Sequence, residues 1–315
     1  MATNTSTAPL YGCMWLGGAW DAEGFGAAEV AHAEAAIEAA LEIGITAFDH
    51  ADIYGNGKAE AVFGEVLVRS AGLRERILIQ TKCGILLGSA HQPGRYDLSA
   101  AHILSSVAKS LDRLRVDSID VLLLHRPDPL ADPDEIASAL SSLRQQGMVG
   151  QFGVSNMSGE QIAHLQAHLD MPLVANQLEM SLHRRDWLEA GVLVNTTDAA
   201  DNGFPLGTIE HCVSHGIGLQ AWGALAQGRF TGGQQTSADQ ATARLVTSLA
   251  EEHGTTPESI VLWWLQRHPA GIAPVIGTTD PGRIRSCRDA VSQAPQLSRE
   301  EWYRLWVTAR GERLP

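Results

Sequence analysis

The chain alternates between short apolar runs and longer amphipathic runs, and it does so about eight times. Apolar runs of about four to eight residues are typical of buried strands, whereas apolar residues spaced by three or four are typical of helices. The predicted strands cover residues 12–16, 45–49, 77–82, 118–125, 151–155, 173–177, 218–222 and 273–276. The predicted helices cover residues 28–42, 58–69, 100–115, 133–146, 159–169, 208–215, 257–267 and 281–291.

This alternation predicts a parallel sheet, because a crossover helix is the usual route from one parallel strand to the next. For 315 residues without a dividing linker we expect one α/β domain over residues 1–315, a (β/α)8 TIM barrel. A doubly wound sheet is the alternative. Residues 298–315 follow the eighth unit and predict an additional C-terminal helix, since Ser298 and Glu301 have the spacing of a capping box.

The composition of the chain indicates which classes of binding partner are disfavoured. The formal net charge is -13, which disfavours binding to nucleic acid or to anionic membranes, so an anionic ligand would need a local cluster of cations. The first ten residues lack a signal-peptide pattern, and no apolar run approaches the length of a membrane span. The four cysteines are scattered, as in proteins of a reducing compartment. We therefore expect a cytoplasmic protein with neither nucleic acid nor membrane as partner.

Four polar residues of different chemistry lie where the predicted strands end. Asp49, Lys82 and His125 end the second, third and fourth strands, and Tyr54 follows Asp49 by five residues. In a (β/α)8 barrel the active site is built at the carboxyl ends of the strands. We therefore expect a carboxylate, a phenol, an ammonium and an imidazole to meet above the barrel mouth.

This set of groups suits the reduction of a carbonyl, which needs a hydride on carbon and a proton on oxygen. The Tyr54 phenol would donate the proton, and the Lys82 ammonium would stabilise the phenolate and lower the phenol pKa. Asp49 would keep Lys82 charged, and His125 would orient the carbonyl oxygen. The hydride must come from a cofactor, because no side chain donates one.

These four residues, in this order, resemble the catalytic tetrad of the aldo-keto reductases. The strings FDHADIYGNGKAE, QTKCG, SLDRLRVDSIDVLLLHRPDP, GQFGVSN, ANQLEMS and PVIGTTDPGRI are also similar to that family, most closely to a bacterial oxidoreductase subgroup. The resemblance extends over nearly the whole chain. It implies an NADPH-dependent enzyme that reduces a small aldehyde or ketone and acts as a monomer.

The resemblance also implies which residues bind the cofactor. It assigns the nicotinamide to Ser155, Asn156, Gln177 and the ring of Trp222, and the pyrophosphate to the loop from Leu225 to Gly228. It assigns the adenosine end to Gly277, Thr278 and Arg283, and the substrate pocket to Trp20.

One departure from the family pattern concerns the choice of cofactor. Gly277 stands where many members have lysine, which leaves NADH as an alternative to NADPH. Arg283 can fork onto a 2′-phosphate, and Arg285 and Arg288 are expected to add local positive charge.

Three other functions are compatible with parts of the sequence. A barrel glycosidase would use Asp49 and Glu179 as its two carboxylates. A regulatory protein of the same fold would bind NADPH as a sensor without turnover. A metal site could use pairs with helical spacing, His164 with His168 or His211 with His215, but neither pair has a third ligand in the sequence, so no metal is expected.

Overall fold

The computed structural model describes residues 7–21, 24–89, 92–233, 236 and 239–315, and its strands form a closed barrel. The strands are β1 Leu10–Gly12, β2 Ala47–Asp49, β3 Leu78–Cys83, β4 Ile85–Leu86, β5 Arg95–Tyr96, β6 Ile119–Leu124, β7 Val149–Ser155, β8 Leu173–Glu179, β9 Gly218–Trp222 and β10 Ile272–Ile276. Eight of them pair in parallel around the barrel in the order β1, β2, β3, β6, β7, β8, β9, β10, and β10 closes on β1. The predicted (β/α)8 barrel is confirmed.

Helices surround the barrel and cover its apolar outer face. They are α1 Ala27–Glu42, α2 Lys58–Arg69, α3 Ala100–Leu114, α4 Pro133–Gln145, α5 Gly159–Gln166, α6 Asp186–Val192, α7 Thr208–Ser214, α8 Asp239–His253, α9 Pro257–Gln266, α10 Pro281–Arg285, α11 Arg288–Ser292 and α12 Arg299–Arg310. None of the described helices combines the length and apolar composition that a bilayer crossing requires.

The predicted C-terminal helix is α12, and it begins with the predicted capping box. The Ser298 hydroxyl accepts from the Glu301 amide, and the Glu301 carboxylate accepts from the Ser298 amide. The ring of Trp302 stacks on that of Trp264 in α9 with centroids 5.3 Å apart, and each indole N–H donates to the other residue's carbonyl. These contacts dock the additional helix against α9, and they satisfy one buried indole N–H of each helix.

The predicted first strand, residues 12–16, is wrong. β1 ends at Gly12, and the following residues turn, with the Leu16 amide donating to the Cys13 carbonyl. The turn brings Gly17 against the start of α2, where an added Cβ would lie 2.7 Å from the Cβ of Lys58. Because the turn residues are themselves apolar, hydrophobic periodicity could not show where the strand ends.

Three of the longer connections between the predicted strands and helices contain regular structure. β4 and β5 form a hairpin within residues 84–98, α6 lies within 183–203, and α8 begins at the end of 227–239. Residues 90–91, 234–235 and 237–238 of these segments lie outside the described residues.

The helix predicted over residues 281–291 is two helices, α10 and α11. Its interruption has a local cause, because the Ser286 carbonyl accepts from the hydroxyls of Thr256 and Ser259. A carbonyl turned toward these side chains is a poor acceptor for the next helical turn.

Parallel register places the ends of three strands side by side. Asp49 of β2 pairs with Gln80 of β3, Lys82 of β3 pairs with Leu123 of β6, and the His125 amide continues the ladder by donating to the Cys83 carbonyl. Asp49, Lys82 and His125 therefore reach the same end of the barrel.

Candidate active site

A buried ion pair forms the base of the site. Lys82 Nζ lies 2.8 Å from Asp49 Oδ2, and their side chains are 0% and 2% exposed. Burial alone would lower the pKa of Lys82, but the negative charge of Asp49 and the contact with Tyr54 raise it above its usual value. Lys82 is therefore an ammonium at neutral pH, and its strand neighbour supplies the counter-charge.

Tyr54 is held above this pair by a tight turn. Its amide donates to the Ala51 carbonyl, and Gly55 and Asn56 follow with φ of 55° and 57°. Lys82 Nζ donates to the Tyr54 hydroxyl across 3.1 Å. Because the phenol oxygen accepts that bond, its own hydrogen is free to be donated elsewhere.

The pKa of Tyr54 differs from the expectation. Burial raises it, the nearby Lys82 ammonium lowers it, and Asp49 raises it, with a net increase above the usual value. Lys82 lowers the phenol pKa as predicted, but the loss of hydration outweighs the attraction of this one ammonium, so the net pKa is raised. Tyr54 is fully protonated at neutral pH.

His125 completes the predicted group of four. Its ring packs edge-on against the Tyr54 ring, with centroids 6.2 Å apart and planes at 82°. Burial, together with the positive charges of Lys82 and Arg126, lowers the pKa of His125 to about 2. The imidazole is therefore neutral across the physiological pH range. The structure thus brings Asp49, Tyr54, Lys82 and His125 into one site.

The residues assigned to the nicotinamide form a connected cluster beside His125. The Ser155 hydroxyl donates to the Gln177 carbonyl across 2.9 Å, and Asn156 Nδ2 donates to the His125 carbonyl across 3.2 Å. Trp222 Nε1 donates to Asn156 Oδ1 across 3.1 Å. The strand ends of β7, β8 and β9 thereby share one hydrogen-bonded surface next to the four polar residues.

The residues assigned to the pyrophosphate and adenosine also meet. The Gly228 amide donates to the Leu225 carbonyl, and Gly228 has a φ of 79°. An added Cβ on Gly228 would lie 2.5 Å from Nη2 of Arg283, so a larger residue would displace this guanidinium, and the positive φ also favours glycine. Thr278 accepts from the Tyr11 hydroxyl through its carbonyl, and the space around Gly277 is open.

The positive charge expected from Arg285 and Arg288 is partly compensated. Both guanidinium groups lie 2.7 Å from the carboxylate of Glu42, which neutralises part of their charge. Arg283 is held more loosely, with its Nε 3.9 Å from Glu258 Oε1. Of these three arginines, Arg283 is therefore the one least engaged by a carboxylate.

Two glutamines in the site were not predicted. Gln80 Nε2 donates to Asp49 Oδ1 across 2.6 Å and to Gln220 Oε1 across 2.8 Å, and Gln177 Nε2 donates to the same Gln220 oxygen across 3.0 Å. Both could have been found by strand parity, since Gln80 shares a face with Lys82 and Gln220 shares a face with Trp222.

A cleft of about 810 Å³ opens beside Asn156 and Trp222. It is lined by side chains of both charges, including Arg126, Glu179, Arg184, Asp186 and Arg310. Arg184 lies near the carboxylates of Glu179 and Asp186, whereas half-buried Arg126 has no ion pair or hydrogen bond with any described residue.

Trp20 is not among the described residues that line this cleft. Its ring packs edge-on against Trp15. Its assignment to the substrate pocket remains a prediction.

The geometry also bears on the alternatives. Both oxygens of Asp49 accept hydrogen bonds, from Gln80 and Lys82, so this carboxylate is poorly placed to act as a glycosidase base. His168 pairs with Asp134, and His211 stacks on His215. Over the described ranges, no three side chains of His, Cys, Asp or Glu are grouped to hold a metal ion.

Comparison with known proteins gives consistent matches. The model of the Aldo/keto reductase family matches residues 10–306. The oxidoreductase YcsN of Bacillus subtilis is 40% identical over 285 residues, which cover 89% of this chain and 88% of that protein. A 6-dehydroglucose reductase of Agrobacterium fabrum is 37% identical, covering 90% and 89%. An aldo-keto reductase of Klebsiella pneumoniae, crystallised with NADPH, superposes with a TM-score of 0.72 at 23% identity, covering 95% and 89%.

The buried ion pair makes a prediction about stability. Lys82→Met should lower the free energy of unfolding by about 3–5 kcal/mol, because it leaves the buried Asp49 carboxylate without its counter-charge. The double variant Asp49→Asn with Lys82→Met should lose clearly less, because no charge remains buried. Denaturant unfolding measures both. A single variant no less stable than the double variant would contradict the pairing.

Proposed function

The chain belongs to the aldo/keto reductase family, and from this premise we propose that it reduces an aldehyde or ketone to an alcohol with a nicotinamide cofactor. The observation that carries the proposal is the Tyr54 hydroxyl 3.1 Å from Lys82 Nζ, with the His125 ring against the phenol. We further propose that residues 1–315 are one reductase domain and that the protein is a cytoplasmic monomer.

Each of the four residues has a step in the proposed reaction. The cofactor, when bound, supplies the hydride. Tyr54, protonated at neutral pH, donates its free hydroxyl hydrogen to the carbonyl oxygen, and Lys82 stabilises the resulting phenolate. Asp49 holds Lys82 in place, and neutral His125 orients the carbonyl oxygen by a hydrogen bond from its ring.

The residues present fit a dinucleotide, and we propose NADPH, with NADH as the alternative. Ser155, Asn156, Gln177 and Trp222 would hold the nicotinamide next to His125. Arg283 lies close to the backbone at Gly228, and the space around Gly277 is open. Both features suit a backbone that surrounds phosphate groups. Arg283, with Thr278, would take the adenosine end. The NADPH complex of the Klebsiella pneumoniae protein supports this choice.

For the substrate we propose a polyhydroxylated aldehyde or ketone. The cleft beside Asn156 and Trp222 is lined by cations and carboxylates in close alternation. Hydroxyl groups both donate and accept, so a chain of them can satisfy such a surface. Arg126 directly follows His125 and lacks a partner among the described residues, so it would contact hydroxyls near the reacting carbon. The 6-dehydroglucose reductase of Agrobacterium fabrum supports this class.

The role of Tyr54 is tested by Tyr54→Phe. The variant should bind NADPH with a dissociation constant within about twofold of the wild type and lose roughly 100-fold or more in kcat, because the proton donor is absent. Tyr96→Phe, at an exposed tyrosine, is the matched control. Unchanged turnover in Tyr54→Phe would refute the role. Tight NADPH binding without turnover in the wild type would favour the sensor instead.

The role of Arg283 is tested by Arg283→Ala. Its dissociation constant for NADPH should rise about 10-fold or more, while that for NADH should change little, because only NADPH carries the 2′-phosphate. Arg285→Ala is the control, since that guanidinium already pairs with Glu42 on the same side of the barrel. Equal weakening of both dinucleotides by Arg283→Ala would mean that the 2′-phosphate is bound elsewhere.

The substrate class is tested by Arg126→Met. Its KM for a hydroxylated aldehyde such as glyceraldehyde should rise about 10-fold, and its KM for propanal should change by less than about twofold. Arg144→Met, at an exposed arginine of α4, controls for loss of a positive charge. The assignment fails if both substrates are affected alike, or if the wild type prefers propanal.

A further inference from the structure

A chain of side-chain amides crosses the barrel beneath the site, from Asp49 to Gln177. Gln80 and Gln220 exchange two hydrogen bonds: Gln80 Nε2 donates to Gln220 Oε1 across 2.8 Å, and Gln220 Nε2 donates to Gln80 Oε1 across 3.0 Å. Gln80 Nε2 also donates to Asp49 Oδ1, and Gln177 Nε2 donates to Gln220 Oε1. Gln80 and Gln177 are buried, and Gln220 is half-buried.

The ionised Asp49 fixes the direction of every amide in this chain. A carboxylate only accepts, so Gln80 must turn its Nε2 toward Asp49. The Gln80 oxygen then requires a donor, which is Gln220 Nε2. This leaves Gln220 Oε1 as the acceptor for Gln177. Gln177 therefore turns its Nε2 toward Gln220 and keeps one further N–H, while its Oε1, on the other branch of the amide, has no partner among the described residues.

Asn156, which lies next to Gln177, is restricted in the same way. Its Nδ2 donates both hydrogens, to the His125 carbonyl and to the Ser155 hydroxyl. Its Oδ1 accepts from Trp222 Nε1 and retains a second lone pair. At the proposed nicotinamide position Asn156 therefore offers only its oxygen, and Gln177 offers an oxygen whose side is fixed by the bond from its nitrogen to Gln220.

We propose that Gln220 is a positioning residue that makes Gln177 select the amino group of the cofactor carboxamide. The inference rests on the proposed function, since it requires the nicotinamide to bind beside Gln177 and Asn156. The amino group of the carboxamide satisfies the two oxygens, whereas the flipped carboxamide would set its carbonyl oxygen against them. The carboxylate that holds Lys82 thereby also sets the orientation of the ring that faces Tyr54.

A cofactor analogue isolates this contact. In 3-acetylpyridine adenine dinucleotide phosphate a methyl group replaces the carboxamide amino group. The wild type should bind this analogue about 10-fold more weakly than NADP⁺, because two acceptors lose their donor. In Gln220→Leu and in Gln220→Ala the ratio of the two dissociation constants should fall clearly below the wild-type value, because Gln177 can rotate and offer Nε2 instead, which leaves only Asn156 Oδ1 without its donor. Tryptophan fluorescence titration measures binding without turnover.

Two controls separate positioning from a structural effect. Gln220→Glu keeps an acceptor for Gln177 Nε2 and should retain the wild-type ratio, and Gln145→Leu, at an exposed glutamine, should change nothing. A wild type that binds both dinucleotides equally overturns the inference, as does a full ratio in Gln220→Leu or Gln220→Ala. A wild type that binds neither dinucleotide would instead overturn the proposed function.

Discussion

The buried contact between Lys82 and Asp49 is the interaction on which the site depends. An ammonium has three N–H groups, and each finds an acceptor: Asp49 Oδ2, the His50 carbonyl and the Tyr54 hydroxyl. Two of these acceptors, the His50 carbonyl and the Tyr54 hydroxyl, belong to the segment that follows β2. Lys82 therefore holds that segment in place as well as pairing with Asp49. Because a buried charge is costly without full pairing, small displacements of Tyr54 are opposed by the loss of one of the three hydrogen bonds to buried Lys82.

Strand β3, which carries Lys82, is anchored on its outer face by a second polar contact. Thr81, which points away from the lumen, donates to Glu60 Oε1, and Glu60 accepts from Arg113 Nε across 2.7 Å. Arg113 also packs against Gly57, where an added Cβ would lie 2.9 Å from Arg113 Cδ. β3 is thus held by acidic partners on both sides, and α3 is tied to the turn that carries Tyr54. This rigidity suits a donor that must keep its position while its hydrogen leaves.

Much of this arrangement could be predicted from the sequence, because it follows from the alternation of side chains along a strand and from the positions at which the strands end. The barrel, the terminal helix and the meeting of Asp49, Lys82 and His125 depend on local patterns that parallel register then aligns. The end of β1 at Gly12 could not be predicted, since the apolar residues of the following turn have the same sequence pattern as a buried strand. The net rise in the pKa of Tyr54 was also beyond sequence reasoning, because it depends on how completely three elements exclude water. Helix α8 was missed despite the helical spacing of Ala243, Val246 and Ala250, all of them buried.

The acidic surface and the proposed binding of an anionic cofactor are compatible for a local reason. At physiological ionic strength charges interact over about 8 Å, so a net charge of -13 spread over the molecule has little effect on one phosphate group. What matters is which cations near the site are already neutralised. Arg285 and Arg288 share Glu42, whereas Arg283 lies 3.9 Å from Glu258 and 3.3 Å from the Thr231 hydroxyl, both weak contacts for a guanidinium. A phosphate at Arg283 would therefore gain a charge-assisted bond at little cost in broken contacts.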